Sequence, residues 1–224
     1  MAQAKTLTPQ DIDRVLAYVA GGNYALRNRV ILLTGLWSGM RVGELANLRL
    51  GDVLTADGAV KSEIRLAAWQ TKGRRPRTVF MPEKLRTELG NYLKLRRNTN
   101  PEHPVFVSGF GRAFSPNTLC QHIFWIFKLA GIPGASSHSL RRSFITNLAS
   151  RGIGVRVLAS LAGHQSISVT QRYIDVNDDM KRRAVELALA RLGQERVIDV
   201  CSKWNRQPIV RFVPAIQCVR ARLP

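Results

Sequence analysis

Apolar residues at Ile12, Val15, Leu16 and Val19 repeat with the spacing of one face of an α-helix. Ahead of them stand Thr8 as a side-chain cap, Pro9 at the first helical position and Asp11 three residues beyond the cap; Gly21-Gly22 closes the run. A second helix is predicted from Tyr24 to about Trp37 on Leu26, Val30, Leu33 and Leu36. After Arg41 the period changes. Glu63-Ile64-Arg65-Leu66 alternates, as does Arg77 to Met81, and the polar, glycine-containing segment from Gln70 to Pro76 lies between them. That pattern predicts strand, turn and strand.

The remainder reads as helix. A leucine- and lysine-rich helix follows Pro82, and another runs from the Ser115-Pro116 cap to Gly131. A third starts near His138 and stops at Gly152. Shorter ones are predicted over about 154–162 and 166–174, and one more from about 178 to 192, with Asp175, Asp178 and Asp179 as capping candidates. Residues 193–224 carry Pro208, Pro214, Cys201 and Cys218 and follow neither period. The expected fold class is mainly α with a small antiparallel β-sheet inserted early.

Composition narrows the partner. The 224 residues hold 34 Lys+Arg against 15 Asp+Glu, a formal charge of +19, with 45% hydrophobic content for a core. Such a balance points to a polyanion, first nucleic acid and second an anionic membrane surface. Cys120, Cys201 and Cys218 are scattered with no CxxC, which argues against a disulfide framework or a zinc site. The first residues lack the apolar core of a signal peptide, and no stretch approaches a bilayer span. A cytoplasmic protein that engages nucleic acid and no membrane is expected.

Taken singly, the polar residues have ordinary readings. Tyr173 suits a helix surface, His138 and Arg141 at i and i+3 suit a cap or a phosphate contact, and Arg41 suits a surface pair with Glu44. The basic run from Lys72 to Arg77 suits a solvated hairpin tip. Their order says more. The stretch TGLWSGMRVGELANL (34–48) is followed by Thr71-Lys72-Gly73-Arg74 between the strands and then by His138-Ser139-Leu140-Arg141-Arg142. Leu161-Ala162-Gly163-His164 comes next, and Tyr173 lies nine residues past His164. This arrangement resembles the catalytic domain of the tyrosine recombinases, the phage-integrase family, from about Thr6 to about Asp179.

The resemblance implies roles. Arg41 and Arg141 would clamp the scissile phosphate, and Tyr173 would attack phosphorus to form a 3′-phosphotyrosyl link. Lys72 would protonate the leaving 5′-oxygen. His138 would take the tyrosine proton or bond the phosphate, His164 would add a phosphate bond, and Glu44 would orient the cations. Arg74, Arg75, Arg77 and Arg142 are expected on the DNA. The chemistry fits these residue types. A tyrosine hydroxyl, with an ordinary pKa of about 10, needs a cationic pocket to become a nucleophile. The planar arginine fork matches phosphate oxygens and keeps its charge.

The family reading also implies double-stranded DNA as partner, a tetramer on synapsed DNA and, optionally, an accessory DNA-bending protein. It implies neither cofactor nor metal, and no pair of carboxylates accompanies the basic motifs as a two-metal nuclease would require. Arg142 stands where many members have histidine. Typical members carry a core-binding domain ahead of the first catalytic helix, which here begins by Thr8, so a short or truncated member is expected. The expected division is 1–192 as catalytic domain and 193–224 as tail, with Met180–Leu192 as the helix that packs on a neighbouring protomer. A type IB topoisomerase and a non-catalytic DNA-binding remnant of a mobile element stay open as alternatives.

Overall fold

A computed structural model describes residues 3–96, 100–174 and 178–193. The chain forms two compact units, Met1–Val176 and Asn177–Pro224. Of the expected tail, 193–224, all but Gly193 lies outside the described residues, as does Asp175.

The first helix, α1 (Pro9–Ala20), starts as its sequence predicts. The Thr8 hydroxyl accepts from the Asp11 N–H at 3.2 Å, and the Asp11 carboxylate accepts from the Thr8 N–H at 3.0 Å. This reciprocal box satisfies two otherwise orphaned donors and is worth about 1 kcal/mol. Helix α2 (Ala25–Ser38) is the hub. Val30, Ile31, Leu32, Leu33 and Leu36 are all buried, so it is covered on nearly every side, by α1 and by three elements described below.

Two short helices follow that periodicity did not predict, α3 (Val42–Ala46) and α4 (Leu50–Val53). Each is too short to show a period. Each is opened by an acid three residues past its cap: Glu44 accepts from the Arg41 N–H at 2.8 Å and Asp52 from the Arg49 N–H at 2.9 Å. The repeated pattern Arg-x-Gly-acid was the available signal.

Strands β1 (Glu63–Leu66) and β2 (Arg77–Phe80) pair antiparallel, with Ile64 opposite Val79 and Leu66 opposite Arg77. Ile64, Leu66 and Val79 are buried, and β1 packs on α4. The connection is not a tight hairpin, since a 3₁₀ turn (Ala68–Gln70) precedes the exposed stretch from Lys72 to Pro76. Helix α5 (Glu83–Lys94) lies against α2 and is tied to it by a two-pronged Arg29–Glu88 pair, at 2.6 and 3.0 Å. Helix α6 (Pro116–Leu129), capped by Ser115, packs on α3 and α1.

Helix α7 (Ser137–Ser150) crosses α2 closely: a Cβ on Gly35 would stand 2.7 Å from Leu140 Cδ1. With α1, α3 and α5 it completes the cover of α2. Helices α8 (Val155–Ala162) and α9 (Ile167–Gln171) finish the first unit, α8 against both α7 and α9. In the second unit α10 (Asp178–Gly193) begins at Asp178, whose carboxylate accepts from Lys181 Nζ at 2.9 Å. Among the described residues the class is mainly α with one two-stranded antiparallel sheet.

Candidate active site

Three arginines meet at the C-terminal end of α8. The last carbonyls of a helix have no partner within it. Here three successive ones are each taken by a guanidinium. Leu161 O accepts from Arg77 Nη1 at 2.7 Å, Ala162 O from Arg141 Nη2, and Gly163 O from Arg41 Nη2 at 3.4 Å. The negative end of the helix dipole favours this gathering of cations. The arginines come from β2, α7 and the cap of α3, so one turn of α8 joins three segments distant in sequence.

Glycine is required in that turn. Gly163 has a φ of +61°, and a Cβ on it would lie 2.6 Å from Arg77 Cδ. A second left-handed glycine, Gly39 at φ +63°, ends α2 and offers its carbonyl to Arg141 Nη1 at 2.7 Å. Arg141 is only 3% exposed. Burial, then the positive charge of Arg41, pulls its pKa down to about 9, which still leaves it cationic at neutral pH.

Glu44 balances part of this charge. It is 1% exposed and accepts from the Arg41 backbone N–H, from Arg41 Nη1 at 3.1 Å, and from Arg77 at 2.6 and 3.3 Å. Burial alone would raise its pKa. The Arg77 hydrogen bond and charge, then those of Arg41, outweigh burial and hold the carboxyl below its usual range. Arg77 therefore supplies the counter-charge from behind, and Arg41 keeps part of its own for the space in front.

His164 directly follows the α8 turn. Its Nδ1 lies 2.8 Å from the Thr170 hydroxyl, and its ring stacks on that of Tyr173 with centroids 5.5 Å apart and planes inclined 25°. Burial first, then Arg141, Arg41 and Arg77, lowers its pKa to about 4, so the imidazole is neutral at pH 7. The turn bearing Tyr173 is held from α7 and from the N-terminal segment. Thr146 Oγ1 donates to Tyr173 O at 2.6 Å, Gln3 Nε2 donates to Arg172 O at 2.6 Å, and Arg142 reaches both Thr6 Oγ1 (2.7 Å) and Arg172 O (3.5 Å).

These groups open onto a cleft of about 550 Å³. Arg41, Lys72, His138, Arg141, His164 and Tyr173, the six residues expected to act together, all line it, and so does Glu44. Among the described lining residues Glu44 is the one carboxylate against three cations. His138, at the second position of α7, and Lys72, on the loop between the strands, are exposed. Arg74 and Arg75 are exposed on the same loop. The other two arginines expected on DNA are turned inward: Arg77 onto Glu44 and Leu161, Arg142 onto Thr6 and Arg172. Both are occupied because a buried guanidinium must be hydrogen-bonded.

Sequence reasoning did not single out Thr170, Thr146, Gln70 or Trp69. Trp69 lines the cleft, 57% exposed, with the Arg49 guanidinium 5.0 Å from its ring centre. Nothing in a linear pattern marks these side chains. Among the described residues no group of three or more His, Cys, Asp or Glu could hold a metal ion, and no helix is long and apolar enough to cross a membrane.

The family model described as "Phage integrase family" matches residues 5–180. The tyrosine recombinase XerA of Pyrococcus furiosus is 33% identical over 187 residues, covering 82% of this chain and 62% of that protein. The crystal structure of XerA recombinase superposes with a TM-score of 0.68 at 29% identity, over 84% of this chain and 66% of that one. The Tn1549 transposon integrase, solved in complex with transposon right end DNA, shares the fold with a TM-score of 0.63 at 19% identity, over 83% and 66%. The chain thus spans 62% of the length of the XerA relative.

Proposed function

The chain belongs to the phage integrase family, and from that footing we propose that it cleaves and rejoins double-stranded DNA at specific sites through a 3′-phosphotyrosyl intermediate. The observation that carries the reading is the single cleft lined by Arg41, Lys72, His138, Arg141, His164 and Tyr173. Names of relatives add support, since the similar proteins are called recombinases or an integrase, one of them bound to DNA.

In this reading Arg41 and Arg141 take the two non-bridging oxygens of the scissile phosphate. Tyr173 Oη attacks phosphorus, the Oη–P bond forms and the P–O5′ bond breaks. The tyrosine proton passes to His138, and the departing 5′-oxygen takes a proton from Lys72. His164 is neutral. With the Thr170 hydroxyl donating to Nδ1, its Nε2–H is a donor for a phosphate oxygen. The phosphotyrosyl bond keeps the energy of the broken phosphodiester, so a 5′-hydroxyl from another strand can reverse the steps. Removing one such preorganised donor typically costs on the order of 10²–10³ in rate.

The exposed Arg74 and Arg75 contact the DNA backbone, and the net charge of +19 supplies non-specific grip. Four such chains assemble on paired sites, with or without a DNA-bending protein; the apolar Val185 and Leu187, exposed on α10, support a protein contact there. The test is a nicked suicide substrate. Tyr173→Phe is expected to bind DNA as the parent does and to form no covalent adduct. Adduct surviving that substitution would overturn the assignment.

A further inference from the structure

Lys72 sits on a loop that is exposed from Lys72 to Pro76 and pinned by a buried polar side chain in front and a largely buried one behind. In front stands Gln70, 3% exposed. Its Nε2 donates to Asn47 O at 3.1 Å and to Asp52 Oδ2 at 2.7 Å, and its Oε1 accepts from the Ala67 N–H at 2.7 Å. Next to it, the Thr71 hydroxyl lies 2.8 Å from Arg75 O and 3.1 Å from the Arg75 N–H, which folds the loop on itself. Behind stands Arg77, two-pronged on Glu44 and bonded to Leu161 O.

Neither anchor is what core packing alone would select. A buried amide and a buried ion pair carry desolvation costs, and apolar side chains of similar volume would hold a two-stranded sheet as well or better. What polar anchors add is direction. Gln70 ties the loop to the ends of α3 and α4, and Arg77 ties it to the α8 turn where Arg41 and Arg141 are held. The loop is thereby indexed to the phosphate clamp itself.

We infer that Gln70 and Arg77 are positioning residues that hold the Lys72 ammonium at the place where the departing 5′-oxygen needs its proton. The inference rests on the reading of Lys72 as general acid given above. Proton transfer of this kind contributes roughly 10²–10⁴ in rate, and a displacement of about 1 Å can forfeit 10².

The test compares cleavage of a suicide substrate with an ordinary 5′-bridging oxygen and of the same substrate with a 5′-bridging sulfur, whose leaving group needs no proton. Lys72→Ala is the reference and is expected to be slow on oxygen and near parental on sulfur. Gln70→Ala and Arg77→Lys are expected to show the same selectivity in weaker form: about tenfold or more slower on oxygen, within about threefold of the parent on sulfur. A merely structural role would slow both substrates alike, and that result, or no slowing on oxygen, overturns the inference. If Gln70→Ala fails to fold by circular dichroism, Gln70→Met, which keeps the volume and removes the amide, takes its place. A parent that forms no adduct, or a Lys72→Ala that sulfur fails to rescue, overturns the general-acid reading instead, and the two failures are told apart by those reference rates.

Discussion

Substituting Gly163 by alanine tests whether the α8 turn exists to seat Arg77. Two costs follow from the structure. Alanine in the left-handed region, at φ +61°, costs about 1–2 kcal/mol. The new Cβ would also lie 2.6 Å from Arg77 Cδ and 3.3 Å from Nε, so the guanidinium must leave Glu44 and Leu161 O. Removing one partner of a buried pair costs roughly 3–5 kcal/mol, and Glu44 keeps Arg41, which places this loss at or below the lower end. The sum is about 3–5 kcal/mol. With an m-value of about 2 kcal/mol/M in urea, the unfolding midpoint should fall by about 2 M. Gly131 supplies the control, because its φ is +71° and nothing lies within 4 Å of an added Cβ. Gly131→Ala should show the strain alone, a shift below about 1 M. In an Arg77→Ala background Gly163→Ala should likewise cost only the strain. Equal shifts for the two glycines, or a full cost without Arg77, would refute the argument.

Other expectations follow from neighbouring contacts. Arg142→Ala unties the Arg172 carbonyl from Thr6, so adduct formation should slow by about tenfold to a hundredfold while DNA affinity changes little; an equal loss of binding would place Arg142 on DNA after all. His164, held near pKa 4, should keep a neutral imidazole in NMR titration down to about pH 5, and a midpoint at 6 or above would contradict the site electrostatics. The linkage has a definite sign. Between pH 6.5 and 4 the unfolded chain binds a proton that the folded one refuses, so this histidine's contribution to stability is complete above pH 6.5 and is lost as pH falls through 4. The slope of unfolding free energy over that window should be shallower in His164→Gln.

Much of the architecture was readable because its signals are local. Thr8, Pro9 and Asp11 placed the start of α1, Ser115-Pro116 that of α6, and alternation in Glu63–Leu66 and Arg77–Phe80 found both strands. Helices α3 and α4 went unread because four or five residues cannot display a period, although an Arg-x-Gly-acid pattern stood at each start.

The six-residue constellation was legible as an order of motifs, and the structure brings all six to one cleft. What the linear chain determined was chemistry: which groups can be nucleophile, acid and clamp, because charge, pKa and hydrogen-bonding capacity belong to the side chain. What only the tertiary structure decided was the direction each group faces. Arg74, Arg75 and Arg77 form one basic run, yet two are exposed and the third is spent on Glu44 and Leu161. Arg142, adjacent to Arg141, faces away from the clamp and ties down the turn bearing Tyr173. Burial decides between such neighbours, since a guanidinium drawn inward must find acceptors. Here those acceptors are a carboxylate, a hydroxyl and backbone carbonyls supplied by segments up to 136 residues away.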